Sequence, residues 1–164
     1  MISVRKAHQD DMPGIWRVHA SSVRVLCTSH YSAEQIEAWV GKMIPERYHP
    51  TMPASRVIFV AQDDSQLIGF STLDGDTIRA VYVDPGYTGR GVGRRLLAAL
   101  EKEAISRNSD ILRLDASLNS VGFYEAAGYD FVEDGLHSVM GSDVQIPCAR
   151  MEKRLLPQSS ESSR

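Results

Sequence analysis

Gly89, Gly91 and Gly93 alternate with Arg90 and Val92 in the stretch DPGYTGRGVGRRLL, and Arg94 and Arg95 follow before the chain runs into leucines. Glycine inside a helix costs roughly 0.5–1 kcal/mol relative to alanine, so such a cluster at a helix entrance needs a reason. The first N–H groups of a helix have no internal partner, and the aligned peptide dipoles make that end positive. Glycines there open a cradle for an anion, commonly a phosphate. Arg90, Arg94 and Arg95 add positive charge around the same mouth. A flexible turn with solvated arginines is the plain alternative, and context has to decide.

Two familiar phosphate loops fail on detail. The pattern of the nucleotide triphosphatases needs a lysine and a hydroxyl after its second glycine, whereas Val92 and Gly93 follow Gly91 here. The dinucleotide fingerprint G-x-G-x-x-G is a better mimic, with a strand before it, a helix after it and Asp115 at the end of the next strand. Yet Arg94 stands where its third glycine belongs, and three antiparallel strands precede the loop in place of a βαβ unit.

The elements that would position this loop can be read from hydrophobic period. ISVRKA extends as a strand, and Ile15, Val18, His19, Ser22 and Leu26 recur at helical spacing behind Pro13. Ser32, with Gln35 three residues on, opens a second short helix that Gly41 ends. PERYHPTMPAS is too rich in proline for helix or central strand and reads as an exposed connection. RVIFVAQ, QLIGFSTL and TIRAVYV form a meander whose last turn carries Asp74-Gly75. The glycine loop then leads into a helix with Leu96, Leu97, Leu100 and Ala104 on one stripe. ILRLDAS, SVGFYEAAG, YDFVED and VQIPCARMEKRL follow as strand, helix, strand and strand. The expected fold is α/β (α+β): a mixed, mostly antiparallel sheet of about seven strands with four helices on its faces. One domain over residues 1–156 and a disordered polar tail over 157–164 are expected.

Composition narrows the function. At 164 residues, 43% hydrophobic and 24% charged, the chain has the makings of an ordinary globular core. A formal net charge of -3 gives no electrostatic case for nucleic acid, although a local basic patch could serve one phosphorylated small molecule. No apolar run approaches a membrane span, and MISVRKAHQDD is too charged for a signal peptide, so a cytoplasmic protein is expected. Cys27 and Cys148 lie far apart without metal-ligand spacing, which points to buried free thiols and to no metal site.

VYVDPGYTGRGVGRRLL, followed some thirty residues later by ASLNSVGFYEAAGYDF, resembles the GNAT superfamily of acyl-CoA-dependent N-acyltransferases. The match rests on Gly91 and Gly93 in the first signature and on Asn119, Phe123, Tyr124, Gly128 and Tyr129 in the second. Thr88 stands where the family has glutamine or arginine. The resemblance implies that backbone N–H groups of Thr88, Gly89, Arg90, Gly91, Val92, Gly93 and Arg94 hold the pyrophosphate of acetyl-CoA. It also implies that Val81, Tyr82 and Val83 pair with the pantetheine arm and polarise the thioester carbonyl, and that Asn119 bonds the pantetheine amides. An N-cap is the competing role for Asn119.

Acylating an amine requires a neutral amine, a site for charge on the carbonyl oxygen and a proton for the leaving thiolate. The resemblance gives the proton-donor role to Tyr124, with a core tyrosine beside Phe123 as the alternative. It places Asp76 near the carboxylate that many relatives use as base, and it places His30 and Tyr31 at the border of the acceptor pocket; His19 and His137 are further candidates. The expected function is transfer of an acetyl group from acetyl-CoA to a primary amine, with a homodimer expected from family habit alone. A module that binds acyl-CoA without turning it over would carry the same cradle.

Overall fold

Each run of apolar residues folds as its period dictates. A computed structural model describes residues 1–41, 53–139 and 141–155. Among these, strands β1 (Ile2–Lys6), β2 (Arg56–Asp63), β3 (Gln66–Asp74), β4 (Thr77–Val83), β5 (Ile111–Ser117), β6 (Asp130–Ser138) and β7 (Gln145–Arg154) form one sheet in the order β1-β2-β3-β4-β5-β7-β6. Helices α1 (Met12–Leu26), α2 (Ala33–Val40), α3 (Val92–Ser106) and α4 (Val121–Ala126) complete the expected order of elements. Most of the proline-rich connection and the whole of the tail at 157–164 lie outside the described residues.

Helices cover both faces of the sheet. Ile15 and Val18 of α1 pack on Ile58, Val60 and Phe70. On the other face Leu97, Leu100 and Ala104 of α3 pack with Leu112, Leu114 and Met151, and Tyr124 and Tyr129 join them. Truncating a fully buried leucine such as Leu100 to alanine would cost about 2–5 kcal/mol, and these contacts therefore fix where the start of α3 sits. α2 begins as its sequence dictates: Ser32 Oγ accepts the Gln35 N–H at 3.1 Å, and Gln35 Oε1 accepts the Ser32 N–H at 3.0 Å.

The feature that makes a site lies between β4 and β5. They form the parallel pair of the sheet, and their pairing covers only Thr77 with Arg113 and Ile78 with Leu114. Opposite β3, β4 carries a bulge at Arg79, since Ala80 faces Thr72 while Ile78 faces Leu73. A bulge bends its strand and adds twist. Beyond it β4 and β5 are not paired to each other, while Val81, Tyr82 and Val83 remain in register with β3.

Candidate active site

The gap leads on one side to a cavity of about 510 Å³. Val81, Tyr82 and Val83 form one wall, and Thr88, Gly89, Gly91, Val92, Gly93 and Arg94 form the rim. Asn119, Ser120 and Phe123 lie opposite, and Ser22, Leu26 and Cys27 reach in from α1. Gly91 is the residue before the first turn of α3 and has no side chain to cap it, so the orphan N–H groups of that turn are left for a ligand.

The glycines of this rim serve two purposes. Gly89 and Gly91 have φ of 76° and 79°, in the left-handed region, and a Cβ on either would meet nothing within 4 Å. They are glycine because of backbone conformation. Gly93 is helical, and a Cβ there would lie 3.2 Å from Cε2 of Phe123. Room for the Phe123 ring, rather than for an anion, is what that position supplies.

The approach to the loop is pinned. Asp84 Oδ1 accepts the Gly86 N–H at 2.9 Å, while Oδ2 pairs with Arg17 of α1 at 2.9 Å. Arg17 also donates to the Leu67 carbonyl at 2.6 Å. Thr88 Oγ1 closes the turn on the Pro85 carbonyl at 3.3 Å. Of the three arginines expected at the mouth, Arg94 lines the cavity and Arg90 lies over the Tyr87 ring, whereas Arg95 turns away to bond the Ile2 carbonyl at 2.6 Å.

Across the gap lies a smaller cavity of about 200 Å³, lined by His19, Tyr31, Trp39, Thr77, Ile78, Arg79, Asp115, His137, Ile146 and Cys148. Tyr82 and Ser117 line both cavities and stand where they meet. The His19 ring stacks on Tyr82 with centroids 4.1 Å apart, and burial pushes its pKa down to about 3, so the imidazole is neutral. Tyr31 ties this region together: its hydroxyl donates to the Pro147 carbonyl at 2.5 Å and accepts the Leu118 N–H at 2.9 Å. Asp115 is the carboxylate of the lining, about half exposed, with Arg150 3.8 Å away.

Some expected residues sit elsewhere. Asp76 lies outside both cavities and pairs with Arg113 at 2.9 Å. His30 is exposed beside Ser29, with 2.8 Å between Nδ1 and Oγ, and lines neither cavity. Tyr124 is in the core between Phe123 and Tyr129, at ring-centroid distances of 5.0 and 5.6 Å, and burial raises its pKa far above the usual phenol range. Asn119 bonds the Cys27 thiol, whose pKa burial pushes up to about 11; the residue before α4 is Ser120, so Asn119 is not that helix's cap. Both cysteines are free and buried.

The sequence matches the profile described as "Acetyltransferase (GNAT) domain" over residues 27–155. The chain belongs to the GNAT family. It is 30% identical over 132 residues to the uncharacterized N-acetyltransferase YafP of Escherichia coli K12, covering 80% of this chain and 83% of that one. A GCN5-related N-acetyltransferase structure from Rhodopseudomonas palustris superposes with a TM-score of 0.86 at 31% identity, over 93% of this chain and 95% of that one. The PaiA N-acetyltransferase of Thermoplasma acidophilum, solved in complex with coenzyme A, superposes with a TM-score of 0.78 at 26% identity, over 94% and 99%.

Several residues of this GNAT site escaped the reading of the sequence. Asp115, Cys148 and Trp39 reach the smaller cavity through strand register and helix packing, which no local pattern announces. Of α1, His19 is a candidate that the sequence offers and it lines the smaller cavity, whereas nothing in the sequence marks Ser22 as a wall of the larger one. Among the described residues no helix is long and apolar enough to cross a membrane.

Proposed function

We propose that this GNAT domain transfers the acetyl group of acetyl-CoA to a primary amine by direct attack in a ternary complex. The observation that carries the reading is the pair of cavities meeting at Tyr82 and Ser117, one bordered by an uncapped helix start and the other by a carboxylate. Two reactants entering from opposite sides of the β4–β5 gap would meet there without a covalent enzyme intermediate.

The larger cavity takes the donor. The first-turn N–H groups of α3 and Arg94 suit the pyrophosphate, and β4 from Val81 to Val83, past its pairing with β5, suits the amide-bearing arm, which adds as a strand would. The same stretch offers N–H groups to the carbonyl oxygen as charge develops on it. The smaller cavity takes the amine, and Asp115 draws the ammonium in and passes its proton to solvent. The nitrogen then forms its bond to the carbonyl carbon, the carbon–sulfur bond breaks, and the thiolate takes a proton from Tyr124. Tyr124 lies behind Phe123, which lines the donor cavity, and burial makes its phenol a weaker acid, so this transfer depends on a hydrogen bond to the sulfur made when the donor is in place. A binding module without turnover would have no use for the second cavity.

Calorimetry with acetyl-CoA, using NADH and ATP as controls, tests the donor; an amine panel with wild-type protein and Tyr124→Phe tests the chemistry. Selective acetyl-CoA binding and amine acetylation that Tyr124→Phe abolishes, with binding retained, are expected. Unchanged turnover in the variant would leave Tyr124 a core residue, and no acetyl-CoA binding would end the proposal.

A further inference from the structure

The pairing of β4 with β5 ends at Ile78 and Leu114, and the next residue on each strand is charged: Arg79 on β4 and Asp115 on β5. Both line the smaller cavity. Strict alternation along β4 would send Arg79 and Tyr82 to opposite faces of the sheet. The bulge lets both line one cavity. Ile78 packs with α3, whereas Ala80, only two residues on, packs with α1 on the other face.

The two charges stand on the two banks of the gap, and Arg79 is uncommitted. No hydrogen bond or ion pair engages its guanidinium among the described residues. Its charge reaches Asp74, a carboxylate already held by Arg56 at 2.9 Å and Ser55 at 2.8 Å. The arginines of β5 and β7 nearby are taken: Arg113 by Asp76 at 2.9 Å and Glu152 at 3.9 Å, and Arg150 by Glu133 at 2.7 Å. Asp115 lies 3.8 Å from an Arg150 that Glu133 already offsets, so it keeps its pull on a cation.

The cavity therefore offers a carboxylate to an ammonium and, across the gap, a guanidinium to an anion. The planar fork of N–H donors on a guanidinium matches the two oxygens of a carboxylate. A plain alkylamine would leave Arg79 to water, and a second ammonium would meet like charge. A volume of about 200 Å³ leaves room for only a few carbons between the two groups.

We infer that the acceptor is a short amino carboxylate, its nitrogen beside Asp115 and its carboxylate on Arg79, and that Arg79 is the residue that selects it. This rests on the smaller cavity being the acceptor site.

The test is acetyl-CoA-dependent acetylation of glycine, β-alanine and 4-aminobutyrate, each beside its own amide, by wild-type protein, Arg79→Gln and Arg79→Lys. Thermal melts confirm that each variant folds. The amide keeps the shape of the acid and removes its charge. For at least one pair the wild type should show kcat/KM about tenfold or more higher for the acid, the scale of one hydrogen bond to a charged group. Arg79→Gln should raise KM for that acid by about tenfold or more while leaving its amide within about threefold, and Arg79→Lys should fall between. A merely structural role would move acid and amide alike. No preference for any acid, a preference that Arg79→Gln leaves intact, or equal losses on acid and amide overturns the inference while leaving amine acetylation standing. Acetylation of simple alkylamines with none of these acids accepted does the same. If no amine of any kind is acetylated, the transfer reaction itself fails and the role of Arg79 falls with it.

Discussion

Gly93 lies so close under the ring of Phe123 that a single added carbon would come within 3.2 Å of Cε2 and 3.3 Å of Cζ. The contact joins the first turn of α3 to α4, and Phe123 also lines the donor cavity. Gly93→Ala should therefore have opposing effects. Helix propensity gains about 0.8–1 kcal/mol, while overpacking against the ring costs about 1–3 kcal/mol. Stability should fall by about 0–2 kcal/mol, and displacement of Phe123 should weaken acetyl-CoA binding by about tenfold. Calorimetry beside a denaturant titration checks both; a stabilised variant with unchanged affinity would show that the ring yields freely.

Gly91 offers the contrasting case, because its surroundings are empty and only its φ of 79° demands glycine. A left-handed conformation costs an ordinary L-residue about 1–2 kcal/mol, less for asparagine and most for a β-branched side chain. Denaturation midpoints should fall in the order Gly91, Gly91→Asn, Gly91→Ala, Gly91→Val. A variant series with equal midpoints would mean that the loop relaxes to another conformation.

These two glycines show how far the sequence could be read. Period and turn chemistry carry the fold: the Ser32–Gln35 box, the Asp74-Gly75 turn and the leucine stripe of α3 are local signals, and each formed as its residues dictate. The glycine cluster was legible as a phosphate loop, yet nothing local distinguishes a glycine needed for φ from one needed for a ring that arrives thirty residues later. The bulge at Arg79 and the early end of the β4–β5 pairing were likewise out of reach, because register depends on which strands meet. Asp115 therefore read only as the acidic end of a strand, while its distance from Arg150 and its place in the lining are products of packing.

His19 links the site to stability. Only 8% exposed, it has a folded pKa of about 3, against about 6.5 for an unperturbed histidine. Above pH about 6.5 both states leave it neutral, and it contributes no pH dependence. As pH falls from there towards 3 the unfolded chain takes up a proton that the folded one refuses, so stability drops by about 1.4 kcal/mol per pH unit over that window. His19→Gln should remove this slope. Asp11, whose carboxyl the Arg5 guanidinium holds below the usual range, keeps the same acid sensitivity in both proteins. Denaturant titrations at pH 7, 5 and 4 should give converging stabilities for variant and wild type as pH falls, with the variant the less stable at pH 7 through lost stacking on Tyr82. Parallel profiles would mean that the imidazole is protonated in the fold.

Asp115 and Asp76 invite a direct comparison, since both are carboxylates about half exposed beside an arginine, and only Asp115 lines a cavity. Proximity decides what a carboxylate does for an incoming ammonium, because the attraction between exposed charges is screened within about 10 Å at 0.1 M salt. Asp115→Asn should raise KM for the amine and lower kcat/KM by about 10²-fold, the low end of what a positioned acid–base group contributes. It should leave acetyl-CoA affinity unchanged. Asp76→Asn loses a surface pair worth about 0–1 kcal/mol and should alter kcat/KM by less than about threefold. Initial-rate kinetics on both variants at saturating acetyl-CoA separate the two. A larger loss at Asp76 would mean that the strand start, rather than the cavity wall, supplies the base.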